Sequence, residues 1–380
     1  MESKCYQQGT DKYFLRAWEI LNKAGINPYV RYQVFSRKDA MMGGIDEALS
    51  FIKEYTYGKD VKIYSVAQGY KYRAGEVVMK IEGYVQDLID LETVYLGMLC
   101  EGMLRRTPDY SIIYDKARDA VMAAKDKPVY YFGARHYHWK RDLTISSICQ
   151  EAGFAGCSTD SGAVAWGAKG LGTIPHVLIL AIAIHLKSIN SIENPTAYAI
   201  KLFDQYIDKS VPRTILIDTF NKEVDDMIAS SKAVDISGVR IDTCGENLSQ
   251  SNVDIGNLLA TYALRTLSPP NINHKYLYGN GVTISNVWGL RKAMVENGLK
   301  DKTLMVSSGF DAEKIRSFIE AEKVFKSEYK TNLFDSIGYG VTTGPACTSD
   351  IVAYRNPEGG WVPFSKVGRK EIDPILKEVK

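Results

Sequence analysis

The sequence predicts an α/β protein: an irregular (β/α) barrel beside a smaller α+β N-terminal sheet domain that the C-terminal tail completes. Three observations carry this. From Pro128 onward, strand-like runs alternate with helix-like runs, the pattern of a parallel sheet with crossover helices. Before Pro128, short β-like runs are broken by glycines, as in a small antiparallel sheet. After Gly344 the chain reads as a hairpin with an NPEGG turn, which returns to the N-terminal sheet.

The elements follow in order. "DKYFLRAWEILNKAGI" spaces Phe14, Trp18 and Leu21 as a helix does, and Gly25 follows as a stop. "PYVRYQVFSR" reads as a strand and "GIDEALSFIKEYTYG" as a second helix. The run from Val61 to Val85 supplies the glycine-broken sheet, and "LIDLETVYLGMLCEGML" and "YDKARDAVMAAKDK" are helical. The barrel strands are then "VYYFGA", "AGCST", "LGTI", "RTILIDTF", "SGVRIDT", "TLMVSSG" and "FDSIGYGV", each but the last followed by a helical run. Asn194-Pro195 is a cap followed by proline at the first helical position. Residues 269–298 contain no clean strand, which makes the barrel irregular. The expected divisions are 1–115, 116–344 with the active site, and 345–380.

Composition narrows the function. Hydrophobic content of 45% and charged content of 24% are those of a globular protein, and a net charge of +2 provides no global field for nucleic acid. Six cysteines are scattered without CxxC spacing, so no zinc site is expected and buried free thiols in a reducing cytoplasm are. The N-terminus has no apolar signal region, and the most apolar run, 173–186, is too short and too interrupted to span a bilayer.

In a barrel of this kind the chemistry sits at the C-terminal ends of the strands. Those ends carry Arg135, His136 and His138, then Ser158, Thr159 and Asp160, then Thr173 and His176. Asp218 and Asp242 follow, each in an "IDT" run, and finally Ser307, Ser308 and Gly309 with Gly338, Gly340 and Thr342. Small residues ahead of a helix N-terminus suit a phosphate, because no Cβ intervenes and N–H groups point outward. Aspartates suit ribose hydroxyls or Mg2+ on a polyphosphate, and an arginine can clamp a carboxylate or phosphate. These residues point to a phosphorylated sugar with a second anionic group. His136 and His138 flank Tyr137, so at most one is expected to face the ligand. Lys140 and Arg141 fit a pyrophosphate or a solvated loop equally. His185 reads as a core or helix-end residue, and Cys157 and Cys244 as inert thiols.

The motifs "FGARHYH", "GTIPH", "LIDTF", "VRIDT", "VSSGF" and "IGYGV", with "TDKYFLRAWEIL" and "LETVYLGML" ahead of them, resemble the nicotinate phosphoribosyltransferases, in the shorter archaeal-type branch. The resemblance covers about residues 9–345. It implies transfer of phosphoribose from phosphoribosyl pyrophosphate to nicotinate, giving nicotinate mononucleotide and pyrophosphate for NAD synthesis, with Mg2+ at the leaving group. It implies Arg135 on the nicotinate carboxylate or pyrophosphate, Asp218 and Asp242 facing ribose and metal, and Ser308, Gly309, Gly338 and Gly340 around the 5′-phosphate. Tyr13 would stack on the pyridine ring, often from the other subunit, hence at least a homodimer. His176 matches a histidine that ATP phosphorylates in longer relatives, which makes ATP a candidate co-substrate. His136 stands where the family commonly has a second arginine. Asp160 lies near the position that separates acid from amide, where a carboxylate would favour nicotinamide.

Two further readings stay open. Quinolinate transfer needs extra basic residues for a second carboxylate, and few basic residues stand at strand ends after Arg141. A non-catalytic nucleotide-binding relative would retain the fold without turnover.

Overall fold

The computed structural model describes residues 4–267, 269–372 and 376–379. Positions 1–3, 268, 373–375 and 380 of the expected divisions lie outside the described residues. The strands are β1 (Tyr29–Ser36), β2 (Ala40–Met41), β3 (Lys62–Ser65), β4 (Lys71–Tyr72), β5 (Val77–Tyr84), β6 (Val129–Tyr131), β7 (Gly156–Cys157), β8 (Thr214–Leu216), β9 (Gly238–Ile241), β10 (Thr303–Val306), β11 (Ser336–Tyr339), β12 (Cys347–Arg355), β13 (Trp361–Pro363) and β14 (Lys377–Glu378).

Two six-stranded sheets dominate. One is antiparallel, in the order β13-β12-β1-β5-β3-β14. Its long central strands are buried along nearly their whole length, polar residues such as Gln33, Lys80 and Asp350 included. β12 pairs antiparallel with β1, from Val30 opposite Tyr354 to Ser36 opposite Cys347. The NPEGG turn closes the β12–β13 hairpin through Asn356 N–H donating to Gly360 O at 2.8 Å.

The second sheet is parallel, in the order β7-β6-β11-β10-β9-β8. Its strands are two to four residues long, and helices such as Asp142–Glu151, Glu223–Ala233 and Ala312–Tyr329 return between them. In β9, Val239 and Ile241 are buried on one face while Arg240 is turned to the other. Residues 269–298 hold the helix Ile284–Glu296 and no strand, as the sequence suggests.

The expected strand "LGTI" does not form. Leu171 N–H still reaches Cys157 O at 2.8 Å, but the chain then turns away at Gly172, whose φ is +146°. A Cβ there would lie 2.8 Å from the Tyr13 nitrogen. The start of the helix Lys12–Ala24 thus packs where a strand would run, and Arg16 donates to the Gly172 carbonyl. Among the described residues no helix is long and apolar enough to cross a membrane.

Candidate active site

The C-terminal ends of the parallel strands face the central strands β1 and β12 of the antiparallel sheet, and a two-lobed cleft lies between them. The smaller lobe, about 170 Å³, is lined by Tyr13, Phe14, Tyr32, His176, Leu180, Leu216 and Ile351 with several charges. The larger, about 580 Å³, is lined by Phe132, His136, Ser307, Ser308, Gly309, Gly338 and Gly340. Tyr13, Arg37, Arg135, Arg240, Asp242, Ser308 and Thr348 border both.

Arg135 sits in the short turn Ala134–His136 that follows β6. Its Nη2 is 3.3 Å from Asp11 Oδ2 and its Nη1 is 3.6 Å from Glu92 Oε1, and it also meets the Tyr13 hydroxyl. Asp11 is independently held by the hydroxyls of Thr93 at 2.9 Å and Tyr13 at 3.2 Å. Burial, with Asp350 and Asp11 nearby, pushes the Glu92 carboxyl well up, so it adds little negative charge. Tyr13 therefore lines the cleft of its own chain, where the resemblance allowed a partner subunit to supply it.

The turn is set by the helix Glu92–Leu104. A Cβ on Gly97 would fall 2.2 Å from the Tyr137 carbonyl oxygen, so only glycine admits the approach. Gly97→Ala is expected to destabilise the fold by about 1–3 kcal/mol through overpacking and to displace Arg135. A thermal melt and the KM of the purified variant check both effects.

The two histidines separate. His136 lines the larger lobe, with its Nδ1 buried and unpartnered among the described residues. Burial and then the charge of Arg135 lower its pKa to about 4, so it is neutral and can donate or accept. His138 does not line the cleft. Its Nδ1 accepts from the Lys140 N–H at 3.2 Å and its Nε2 lies 3.0 Å from Glu47. Arg141 pairs with Glu101 at 2.6 Å, also away from the cleft.

His176 opens the helix His176–Ser188, and its Nε2 lies 2.9 Å from Asp218 Oδ2. Asp218 Oδ1 accepts the Asp242 N–H at 3.2 Å. Asp218 is buried and absent from the cleft lining, so it orients its neighbours from behind. Asp242 faces both lobes. It accepts from Ser307 Oγ at 2.6 Å and pairs with Arg240 at 3.3 Å. Burial alone would raise its pKa, but Arg240, His176 and Lys366 outweigh this and hold it well below the usual carboxylate range.

After β10, Ser308 and Gly309 adopt φ of +75° and +62°. For a serine that conformation costs on the order of 1 kcal/mol. The N–H groups of Ser308, Gly309 and Phe310 donate to no protein acceptor among the described residues, and a Cβ on Gly309 would meet open space. Opposite them, a Cβ on Gly340 would lie 2.7 Å from the His136 ring, and one on Gly338 2.5 Å from Phe132. These glycines keep the larger lobe open.

Asp160 and Thr173 are not among the cleft-lining residues. The Asp160 carboxylate is 2.5 Å from Lys12 Nζ and accepts the Gly170 N–H at 3.0 Å, so its charge is spent locally. Sequence reasoning missed Lys38, which lines the larger lobe, and four cations that line the smaller one: Arg37, Arg240, Lys366 and Arg369. Lys366 and Arg369 are the ends of one turn in the tail, closed by Arg369 N–H donating to Lys366 O at 3.1 Å, with Gly368 at φ +84°. Both reach Asp350, at 3.5 and 2.6 Å, and with burial opposing them they hold its pKa down. With Arg135, five cations border the smaller lobe against two ionised carboxylates, Asp242 and Asp350.

The described residues include no cluster of three or more His, Cys, Asp or Glu fit for a metal. Mg2+ bound through substrate phosphates needs only one or two carboxylates, and Asp242 fits that demand. Cys157 is buried, and burial pushes its thiol up to about 11, while burial also raises Cys244, so neither is primed as a nucleophile.

Residues 11–102 match the family model of the quinolinate phosphoribosyl transferase N-terminal domain. Among solved structures, nicotinate phosphoribosyltransferase from Porphyromonas gingivalis is 15% identical, covering 98% of this chain and 95% of that one, with a TM-score of 0.64. The nicotinate phosphoribosyltransferase from Vibrio cholerae is 12% identical over 93% and 88%, with a TM-score of 0.57. Nicotinate-nucleotide pyrophosphorylase from Pyrococcus furiosus is 25% identical over 99% and 90%, with a TM-score of 0.43. The chain has the fold of the two nicotinate phosphoribosyltransferases over nearly its full length.

Proposed function

We propose that this protein transfers phosphoribose from phosphoribosyl pyrophosphate to nicotinate, releasing pyrophosphate and nicotinate mononucleotide. The observation that carries the reading is the cleft itself. A small aromatic lobe of ring size joins a larger lobe walled by free N–H groups and glycines, and the cations outnumber the carboxylates.

In this reading the pyridine ring lies against Tyr13 and Phe14, with its carboxylate on Arg135. The Ser308–Phe310 N–H groups take the 5′-phosphate, and Gly338 and Gly340 leave room for the ribose. Positive charge develops on the ribose as pyrophosphate departs, and fixed charges around it stabilise both fragments. Arg37, Lys366 and Arg369 offset the leaving anion, and Asp242, held ionised, faces the ribose. Mg2+, held by Asp242 and the substrate phosphates, would further neutralise the pyrophosphate. Asp218 keeps His176 oriented toward the cleft. In the same proposal the parallel sheet acts as an incomplete barrel whose gap is filled by residues 171–175, and residues 1–115, 116–344 and 345–380 are its structural divisions. We place the enzyme in a reducing cytoplasm, supported by its free thiols, of which all but Cys5 are buried, and as a homodimer, which scattering mass in solution tests.

In the same reading Asp160, paired with Lys12 and outside the cleft lining, does not select for an amide. Pyrophosphate release measured with nicotinate, nicotinamide and quinolinate in parallel, each with and without ATP, tests the proposal. Nicotinate turnover well above the other two is expected. Preference for quinolinate would assign the extra cations to a second carboxylate, and no release with any acceptor would leave a binding protein. A rate unchanged by ATP, with no acid-labile phosphate on the protein, would remove a phosphorylated His176.

A further inference from the structure

Under the Ser308–Gly309 loop lies a lysine that the cleft does not expose. Lys314, in the first turn of the helix Ala312–Tyr329, is buried. Its Nζ donates to the Ser308 carbonyl at 3.2 Å and stands 4.3 Å from the centre of the Phe310 ring. An ammonium has three protons to donate, and among the described residues that carbonyl is the single acceptor Nζ meets. Asp311, which caps the helix by accepting the Lys314 N–H at 2.7 Å, and Asp242, across on the loop after β9, act on it through space.

Ser308 is a non-glycine residue held in a left-handed conformation, and such a conformation persists only where its surroundings over-determine it. The bond from Lys314 is what the structure offers to do so. We propose that Lys314 is a positioning residue: its ammonium ties down the Ser308 carbonyl, fixes the loop, and so aims the loop's free N–H groups into the cleft at a phosphate. This rests on the phosphoribosyl reading above and adds to it a residue that touches no substrate.

The strength of the bond depends on protonation, because a charged ammonium donates about twice as strongly as a neutral amine. Burial pulls Lys314 down to about 8, against the opposing pull of Asp311 and Asp242. The loop is therefore held at pH 7 and loosened as pH rises through about 8. The other groups facing it keep their states over this range. Asp242 stays ionised, burial and then Arg135 keep His136 near 4, and burial pushes Tyr339 up to about 12. The Tyr276 hydroxyl donates to Asp311 and Glu313, and Lys275 pairs with Glu313 rather than with either carboxylate near Lys314. The sugar's 5′-phosphate is already a dianion above its second ionisation at about 6, so it contributes no change there, and the permanently charged arginine variant below is the reference against which any titration of inorganic phosphate itself is subtracted.

The test is calorimetric binding of phosphoribosyl pyrophosphate, and separately of inorganic phosphate, from pH 7 to 9.5. It uses the wild type, Lys314→Met and Lys314→Arg. Wild-type affinity is expected to fall as pH passes 8. Lys314→Met should bind about tenfold more weakly at pH 7, with no step near pH 8, and should raise KM for the sugar pyrophosphate more than it lowers kcat. Lys314→Arg, which stays charged, should restore binding at pH 7 and flatten the profile. A wild-type profile without the step, or a methionine variant that binds like wild type, overturns the proposal. The wild-type and arginine arms decide it even should the methionine variant not fold. Should only inorganic phosphate bind, with the step present in wild type and lost in the arginine variant, the role of Lys314 stands and the phosphoribosyl reading falls.

Discussion

Replacing Arg135 with methionine should lower kcat/KM for nicotinate by about a hundredfold to a thousandfold, the cost of removing one partner of a desolvated charge pair. The fold should survive, because Asp11 keeps its bonds from Thr93 and Tyr13 and Glu92 is pushed by burial toward its neutral form. Arg135→Lys should fall between wild type and methionine, since it keeps the charge but loses the two-pronged fork. Pyrophosphate release with nicotinate and nicotinamide separates the two roles open to this residue. A guanidinium on the ring carboxylate predicts a large loss with nicotinate and little with the uncharged amide. Equal losses with both acceptors would move Arg135 to the pyrophosphate.

The second large effect is expected at Asp242. Asp242→Asn should lower kcat by about two to three orders of magnitude, the usual size for losing a group aimed at charge developing in the transition state. The variant also turns an amide toward Arg240, which in the wild type lies 3.3 Å from a carboxylate oxygen. Because Arg240, His176 and Lys366 overcome burial and keep this carboxyl well below its ordinary range, its ionised state is complete at pH 5 and above. Its contribution is lost only as pH falls through that depressed value. A kcat profile from pH 5 to 9 should therefore show no step from Asp242. A wild-type step above pH 5 that disappears in the asparagine variant would show that those charges do not overcome burial.

What could be read ahead of the structure divides by chain distance. Arg135, Asp242, Ser308, Gly309, Gly338 and Gly340 were legible because each stands just past a strand whose apolar run is visible, and strand ends in such a sheet converge. The alternation around Tyr137 allowed at most one histidine at the ligand, and which one enters the cleft depends on Glu47 drawing His138 away, a contact ninety-one positions distant. Asp218 was legible as a strand-end acid, whereas its place behind Asp242 was not, since that depends on a backbone N–H. Asp160 and Thr173 misled for a related reason. The segment expected to be the third strand gives way to the first helix, and Lys12, which neutralises Asp160, comes with it. Arg240 looked like a mid-strand residue, and only the face that β9 turns to the cleft gives it a function. Arg37, Lys366 and Arg369 belong to the other sheet and to the tail, and no local pattern announces that they meet.

The pairing of β12 with β1 has a consequence for the order in which the protein is made. The middle strand of the antiparallel sheet is translated more than three hundred residues ahead of the neighbour it pairs with. At usual elongation rates the intervening chain takes on the order of fifteen to sixty seconds to emerge. Through that interval β1 has one edge bare, with Tyr32 and Val34 among its apolar side chains, which is a template for pairing with the wrong strand. Nascent chains stalled before Cys347 should accordingly bind chaperones or aggregate, and should have no substrate affinity, because a cleft bordered at once by Tyr13 and Arg369 cannot exist until Arg369 has emerged.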